Sequence, residues 1–282
     1  MSQPAPLFGF DAFSPAEMAR KVLEQGVAKA RLPVATMAVL GVLAGAYIGM
    51  GAMLNVIVLS DPSVPIGLRR VLGGAAFSLG LFLVLVGGAE LFTGNNLLAM
   101  AWAERRLTTL EVLGSWAVVL TANAVGAIGL AWLVLLSGHP GNDGGAVART
   151  YLQIAAAKTS LPSVQAFFSG VMCNVLVCTA VWVALAGRSV TDKLLAIVLP
   201  IAAFVAAGFE HSVANMFIIP LGMMLQADAG QAVDYFGLVR NLAPVIAGNI
   251  VGGSVLVALV YHVIYVRPRE KAAATPSPST QP

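Results

Sequence analysis

A carboxylic acid and an imidazole stand side by side in the stretch Gly208–Phe217, which reads GFEHSVANMF. The stretch lies within a long apolar run. Ionisable groups at membrane depth are costly, so they usually face a pathway or the interior of a helix bundle. A related stretch, Gly88–Asn95 (GAELFTGN), shares the pattern Gly-x-Glu-(x)4-Asn with the first. Two such motifs predict a pore or a carrier rather than a soluble protein.

His211 is the residue best suited to chemistry at this site. An imidazole titrates near neutral pH, so at membrane depth it can hydrogen-bond a small anion or hand it a proton. The hydroxyl of Thr93 can donate to an anion or accept from His211. The alternatives are a neutral histidine that satisfies a neighbour in the bundle and a threonine that caps a local turn.

Two carboxylates, Glu90 and Glu210, invite an interpretation as a proton relay. Their matched positions favour a structural role instead. Each is predicted to accept backbone N–H groups that its own helix break sets free. Asn95 and Asn215 occupy equivalent positions in the two motifs and are predicted to form hydrogen bonds between helices at the breaks.

The composition places the whole chain in a membrane. Of its 282 residues, 58% are hydrophobic and only 10% charged, whereas a soluble domain has about 25% charged residues. The net charge of +3 comes with no basic patch interleaved with aromatics, which excludes a nucleic-acid partner. No Walker loop, dinucleotide fingerprint, CxxC pair or HExxH occurs, so we expect neither cofactor, metal site nor ATP-driven transport. Cys173 and Cys178 are interpreted as apolar filling residues.

Helices must position these motifs, and the apolar runs predict six spans in two groups of three. Two of the runs, Val71–Ala103 and Leu194–Ala227, are too long for one span, which needs about 20 residues, and too short for two. A helix broken at each motif fits best, because irregular backbone at membrane depth is tolerated where it is buried in protein or lines a cavity. The segments Asn123–Gly126 (NAVG) and Asn249–Gly252 (NIVG) repeat each other. Three spans per half require an inverted repeat.

Three regions follow along the chain. Residues 1–32 contain a predicted amphipathic interfacial helix that begins at the capping box Ser14–Glu17. Residues 33–267 form the channel domain, with repeats at about 33–137 and 163–267, joined by a loop near residues 138–162. The Pro/Ser/Thr-rich tail, 268–282, is predicted to be disordered.

The distribution of lysine and arginine predicts the orientation of the chain. Segments on the N-terminal side of the membrane carry eleven of these residues and the opposite segments five. By the positive-inside rule, both termini lie in the cytoplasm. Lys158, in the loop before the fourth span, is placed outside, where it could attract anions.

The motifs together resemble the formate/nitrite transporter family. The likeness rests on Gly208–Phe217, Glu90–Asn95 (ELFTGN), Cys173–Cys178 (CNVLVC) and Gly248–Gly253 (GNIVGG), and it runs from about Ser14 to Arg267. Ser14–Glu17 and Gly187–Lys193 look closer to the formate channels, whereas Glu90–Gly94 (ELFTG) also looks like the nitrite channels.

The resemblance implies an aquaporin-like, all-α protomer, a homopentamer with one pore per subunit, and passage of small monovalent anions. It also implies roles for individual residues: His211, Thr93 and Asn174 in the pore, Leu81, Leu91, Phe92, Val177 and Phe204 at hydrophobic constrictions, and Lys158 in gathering anions.

The resulting hypothesis is a formate-class anion channel or proton-linked carrier in a bacterial inner membrane, with both protons and lipid as partners. A bare anion faces a large desolvation cost at apolar constrictions, which His211, held by Thr93 or Asn174, would reduce. The nearest alternative is nitrite or hydrosulfide as substrate. A water or ammonia pore is disfavoured because paired Asn-Pro-Ala motifs are missing. An intramembrane enzyme using Glu210 and His211, and a structural scaffold, are the rivals from other classes.

Overall fold

The computed structural model describes residues 11–267, and within this range the chain folds as helices only. Six helices are long and apolar enough to cross a membrane. This confirms the predicted fold class, and the chain is a multi-pass membrane protein. The predicted tail, 268–282, and the first ten residues of the N-terminal region lie outside the described residues. The helices are α1 Pro15–Ala30, α2 Val34–Ser60, α3 Ile66–Gly87, α4 Phe92–Asn95, α5 Leu98–Ala103, α6 Thr109–Leu136, α7 Asn142–Thr159, α8 Ser163–Ala184, α9 Val190–Ala207, α10 Ser212–Asp228, α11 Phe236–Ile250 and α12 Val260–Tyr265, with a π-helical stretch, Val251–Leu259, between the last two.

Helix α1 begins at the predicted capping box. The Ser14 hydroxyl and its backbone N–H both donate to the carboxylate of Glu17, at 2.7 and 2.8 Å, and they lower the pKa of Glu17 below its ordinary value. The buried side chains Met18 and Leu23 of this helix join a hydrophobic cluster with α5. Helix α1 is thus fixed at one end by its cap and along its length by apolar packing.

Both predicted broken helices are present. Helix α3 ends at Gly88 and α9 at Gly208, with φ angles of 79° and 77°. Glycine adopts this left-handed conformation at little cost, because it has no Cβ. The chain runs extended for a few residues and resumes as α4 at Phe92 and as α10 at Ser212. The breaks leave backbone groups in the protein interior that need partners.

The segment near residues 138–162, predicted as a loop, is largely helix α7. A turn with positive φ at Asp143, Gly144 and Gly145 leads into it. Helix α7 packs against α10 and buries Tyr151 and Ala155. The sequence signal was weak because the stretch is too short and too polar for a span. Helix α7 supports the half-helix after the second break as α1 supports α5 after the first.

Glycines bring α2 close to α6, and α8 close to the last span. A Cβ on Gly126 would overlap the backbone carbonyl of Val42, and a Cβ on Gly252 would overlap the carbonyl of Val171. The NAVG and NIVG repeats therefore place a glycine at the same kind of backbone contact in each half.

We expect Gly126→Ala to lower the free energy of unfolding by about 1–3 kcal/mol, because the new methyl group has no room against the Val42 carbonyl. The matched control is Gly129→Ala in the same helix, where a Cβ meets nothing within 4 Å. There the better helix propensity of alanine should leave stability unchanged or raise it by up to about 1 kcal/mol. Thermal unfolding of the two variants in detergent measures the difference. Equal melting temperatures would contradict the close contact.

Candidate functional site

Two cavities lie inside the bundle, one beside each helix break. We call them outer and inner after the predicted orientation. The outer cavity, of about 920 Å³, is bordered by Lys158, Glu210 and His211 among other residues. The inner cavity, of about 240 Å³, is bordered by Lys29 and Glu90 among others. Each break thus lies at the end of one cavity, with its glutamate in the wall.

His211 and Thr93 meet between the two breaks, and both side chains are buried. The Nε2 atom of His211 lies 3.0 Å from Thr93 Oγ1. The Nδ1 atom of His211 accepts a hydrogen bond from the backbone N–H of Ala214 at 3.2 Å, so His211 is the N-cap of α10. Because Nδ1 accepts a hydrogen bond, a neutral His211 carries its proton on Nε2. This N–H then donates a hydrogen bond to Thr93 Oγ1.

Two phenylalanines enclose the histidine on the side of the outer cavity. The ring of Phe204 stacks on His211 at 5.9 Å between centroids, and Phe77 approaches its edge at 6.4 Å. The two phenylalanines pack edge to face at 5.6 Å. Phe77 was missed by the sequence analysis. Its position one turn before Leu81 on the same face of α3 was the signal that could have found it.

The residues predicted to form constrictions are all buried, but they do not form one ring. Leu81 and Leu91 border the inner cavity and Phe204 the outer one. Phe92 and Val177 border neither the inner nor the outer cavity. The ring of Phe92 faces Trp116 instead, at 6.3 Å. Leu81 and Leu91 thus line the inner cavity, and Phe204 and Phe77 line the outer cavity beside His211.

Asn174 contributes indirectly. Within the described residues its side chain makes no hydrogen bond to His211. The two N–H groups on Nδ2 are shared among three acceptors, the backbone carbonyl of Thr93 at 3.2 Å, Asn96 Oδ1 at 2.7 Å and the carbonyl of Asn249 at 2.7 Å. Of the two predicted supports for His211, only Thr93 touches it, and Asn174 holds the backbone of Thr93.

The glutamates at the breaks have other partners than predicted. Glu90 accepts from Asn95 Nδ2 at 2.8 Å and pairs with Lys29 at 3.0 Å. Glu210 accepts from Asn215 Nδ2 at 2.6 Å and pairs with Lys158 at 2.7 Å. The expectation that these carboxylates accept freed backbone N–H groups was wrong. Their positions turn them toward lysines on α1 and α7, which satisfy a buried charge better than a neutral N–H does.

Asparagines on the third span of each half take over the freed backbone groups. The backbone N–H of Phe92 donates to Asn123 Oδ1 at 2.9 Å, and Asn123 Nδ2 donates to the carbonyls of Gly41 and Glu90 at 2.7 and 2.9 Å. One amide therefore satisfies three main-chain groups at the first break.

The second break repeats this arrangement. The N–H of Ser212 donates to Asn249 Oδ1 at 3.0 Å, and Asn249 Nδ2 donates to the carbonyls of Gly170 and Glu210 at 2.8 and 3.1 Å. Gly41 and Gly170 thus correspond. The internal repeat extends to the hydrogen bonds that hold each break.

Lys158 is held by its ion pair, not solvated. Its side chain is 15% exposed, compared with 34% for the equivalent Lys29. We expect Lys158→Met to lower the free energy of unfolding by about 3 kcal/mol, because it leaves the charge of Glu210 buried and uncompensated. Lys29→Met should cost less, since water reaches that pair.

A second background distinguishes charge from packing. In a Glu210→Gln chain no buried carboxylate remains for Lys158→Met to leave unpaired, so adding that substitution should cost clearly less than it does in the wild type. Chemical or thermal unfolding in detergent measures the four variants. An equal cost in both backgrounds would show that Lys158 acts through packing alone.

Within residues 11–267 no group of three or more His, Cys, Asp and Glu side chains is placed to hold a metal ion. Cys173 and Cys178 are free and buried. Both lie in α8, and Cys178 Sγ also donates to the backbone carbonyl of Thr93 at 3.3 Å, so Cys178 does more than fill space.

Comparison with known proteins gives consistent matches. The family described as "Formate/nitrite transporter" matches residues 16–263. The "Formate channel FocA" of Escherichia coli (strain K12) is 38% identical over 275 residues, which cover 92% of this chain and 96% of that protein. A solved structure described as "Pentameric formate channel with formate bound" has a TM-score of 0.74 and 34% identity, and covers 83% of this chain and 98% of its own. Another, described as "FNT family ion channel", has a TM-score of 0.77 and 32% identity, with 88% and 98% covered.

Proposed function

This chain belongs to the formate/nitrite transporter family, and from that premise we propose that it is a membrane channel for formate and similar small monovalent anions. The family match spans nearly all of the described residues, so the resemblance seen in the motifs is confirmed. The matched relative and the first solved structure are formate channels. The chain is accordingly a transport protein and not an enzyme.

The contact between His211 and Thr93 is the observation that carries the proposal. These side chains place a hydrogen-bond donor between the two helix breaks, with Leu81 and Leu91 in the wall of the inner cavity and Phe204 beside His211 in the wall of the outer one. An anion that leaves water for such walls loses its hydration. The Nε2–H of His211 can turn from Thr93 to the anion, which replaces part of the lost hydration.

A proton link completes the proposed mechanism. In this mechanism His211 takes up a proton from the water of the outer cavity and passes one proton to the anion, so that the imidazolium returns to its neutral form. The neutral acid then passes the leucine and phenylalanine side chains at a far lower desolvation cost than the anion. On the other side the acid loses its proton to water, so anion and proton move together. Thr93 then accepts from the histidine again, and Asn174 keeps the backbone of Thr93 in place.

We further propose the assembly and location that follow from family membership. The chain forms a homopentamer with one pore in each subunit, as the description of the matched pentameric channel suggests. It resides in a bacterial inner membrane with both termini in the cytoplasm, where the positive-inside rule places them. The same proposal includes the predicted boundaries of the two repeats, about 33–137 and 163–267.

Uptake of formate, nitrite and hydrosulfide into proteoliposomes over a series of pH values tests the function. Saturable formate flux that empty liposomes lack is the expected result. Flux of nitrite or hydrosulfide without formate would keep the channel but reassign its substrate. If none of the three anions enters, the proposed function is wrong.

A further inference from the structure

The wall of the outer cavity contains polar groups that the pore mechanism leaves unused. Asn55 on α2 is buried, borders the cavity, and its Nδ2 atom has no hydrogen-bond acceptor among the described residues. Arg69, at the start of α3, borders the same cavity, and its buried Nε atom likewise finds no acceptor in residues 11–267. Buried donors without acceptors are rare in folded proteins, and an ion or water usually explains them.

These two side chains are neighbours across the contact between α2 and α3. A Cβ on Gly73 would lie 2.6 Å from Asn55 Nδ2, so Asn55 faces the turn that contains Gly73. Arg69, one turn before Gly73, donates through Nη1 to the carbonyl of Leu59, one turn after Asn55. Asn55 and Arg69 therefore stand about one helical turn apart, or ~5.4 Å along the helices. A carboxylate, with two acceptor oxygens, can bridge donors at this separation.

The charge of the cavity favours an anion over a water molecule. Three cations, Arg69, Arg70 and Lys158, border the cavity together with one carboxylate, Glu210. Lys158 and Glu210 neutralise each other in their ion pair at 2.7 Å. Within the described residues neither Arg69 nor Arg70 forms an ion pair with a carboxylate. Among the side chains that border the cavity, the net positive charge therefore lies on the two arginines, beside the unused donor of Asn55. Outside the lining, the carboxylate of Asp61 interacts electrostatically with Arg69.

Hydrogen bonds to the backbone also fix the side chain of Arg69. Its Nη1 atom donates to the carbonyls of Leu59 and Asp61, at 3.1 and 3.0 Å. A guanidinium fixed in this way loses little side-chain freedom when it binds an anion. Arg70 is exposed and contributes charge without such a contact.

We propose that Asn55 and Arg69 form an anion-binding site in the wall of the outer cavity, which holds formate or a similar small carboxylate before it reaches His211. This proposal rests on the proposed function, since the site lies on the same route. Arg70 strengthens the site through its charge. The attraction of anions to the outer cavity, which the sequence predicted for Lys158, is therefore due mainly to the two arginines, because Glu210 neutralises Lys158.

The test compares apparent KM and maximal rate of formate uptake in cells that express the full chain and in inverted vesicles from the same cells. We expect Asn55→Leu, which keeps the side-chain volume but removes the donor, to raise KM about tenfold in cells. Arg69→Lys keeps the charge but loses the planar donors, and should also raise KM. The maximal rate should change little, and KM in inverted vesicles should stay near the wild-type value.

Arg70→Gln separates charge from contact. We expect it to raise KM about threefold at low ionic strength and to match the wild type in high salt, where the field is screened. The matched control is Arg149→Gln, an exposed arginine of α7 that does not border the cavity. Its KM should equal the wild-type value under all conditions.

Equal KM values for wild type, Asn55→Leu and Arg69→Lys in cells would overturn the site. So would a rise in KM of the same size in cells and in inverted vesicles. If the wild type itself shows no saturable formate flux, the proposed function fails. Thermal unfolding of the purified full chain then tests separately whether the anion-binding site exists. Formate should then raise the Tm, relative to chloride, in the wild type and in His211→Phe but not in Asn55→Leu. A wild-type Tm that formate leaves unchanged would rule the site out.

Discussion

Replacing His211 by phenylalanine is expected to abolish the proton movement that accompanies formate uptake and to reduce formate flux by about 100-fold, the typical contribution of a proton donor. The phenyl ring can still stack on Phe204, which lies 5.9 Å from the imidazole. What it lacks is the Nε2–H that faces Thr93 and the Nδ1 acceptor that caps α10. Formate uptake into proteoliposomes that contain a pH-sensitive dye measures both quantities together.

A second substitution separates the relay from the helix cap. Asparagine is a strong N-cap, so His211→Asn keeps an acceptor for the N–H of Ala214 and offers an amide donor to Thr93, but it cannot titrate near neutral pH. We expect this variant to unfold at a temperature close to that of the wild type and to pass formate without protons, with a flattened pH profile. Proton coupling that persists in either variant would eliminate His211 as the relay.

Much of the fold follows from the sequence because lipid imposes strong constraints. A hydrocarbon core of ~30 Å sets the length of each span, so apolar runs that were too long required a break. The position of each break could be predicted because each motif begins with a glycine, and glycine can adopt a left-handed conformation that other residues avoid. Gly88 and Gly208 do adopt it. His211 stood out because an ionisable side chain in such a run needs a reason to be there.

The partners within the site were not readable in the same way. The spacing from Glu90 to Asn95 shows that both lie at the break, but it does not show that the amide donates to the carboxylate. Lys29 reaches Glu90 from a helix far away in sequence, and no periodicity links the two. Helix α7 was missed because its burial depends on α10 and not on its own composition. Long-range pairing of this kind depends on how the helices pack. A single sequence indicates that packing only where its internal repeat places matching residues in both halves.

That repeat leads to the second large effect. We expect Asn123→Ala and Asn249→Ala each to lower the free energy of unfolding by about 3–5 kcal/mol, because either change leaves one backbone N–H and two carbonyls buried without partners, at about 1–3 kcal/mol for each group that finds no water. Thermal unfolding in detergent measures the loss. The control is Asn142→Ala, at an exposed asparagine, which should change stability by less than about 0.5 kcal/mol.

The comparison between the two asparagines is more informative than either loss alone. Asn123 and Asn249 hold equivalent groups at equivalent distances, so their costs should agree to within about 1 kcal/mol if the two breaks are built alike. Asn249 has one added duty, since its backbone carbonyl accepts from Asn174, but alanine keeps that carbonyl. A large loss at one position beside a negligible loss at the other would mean that water reaches one break and replaces its amide. Such a result would identify the wetter half of the pathway, and the desolvation of the anion would then have to occur at the opposite break.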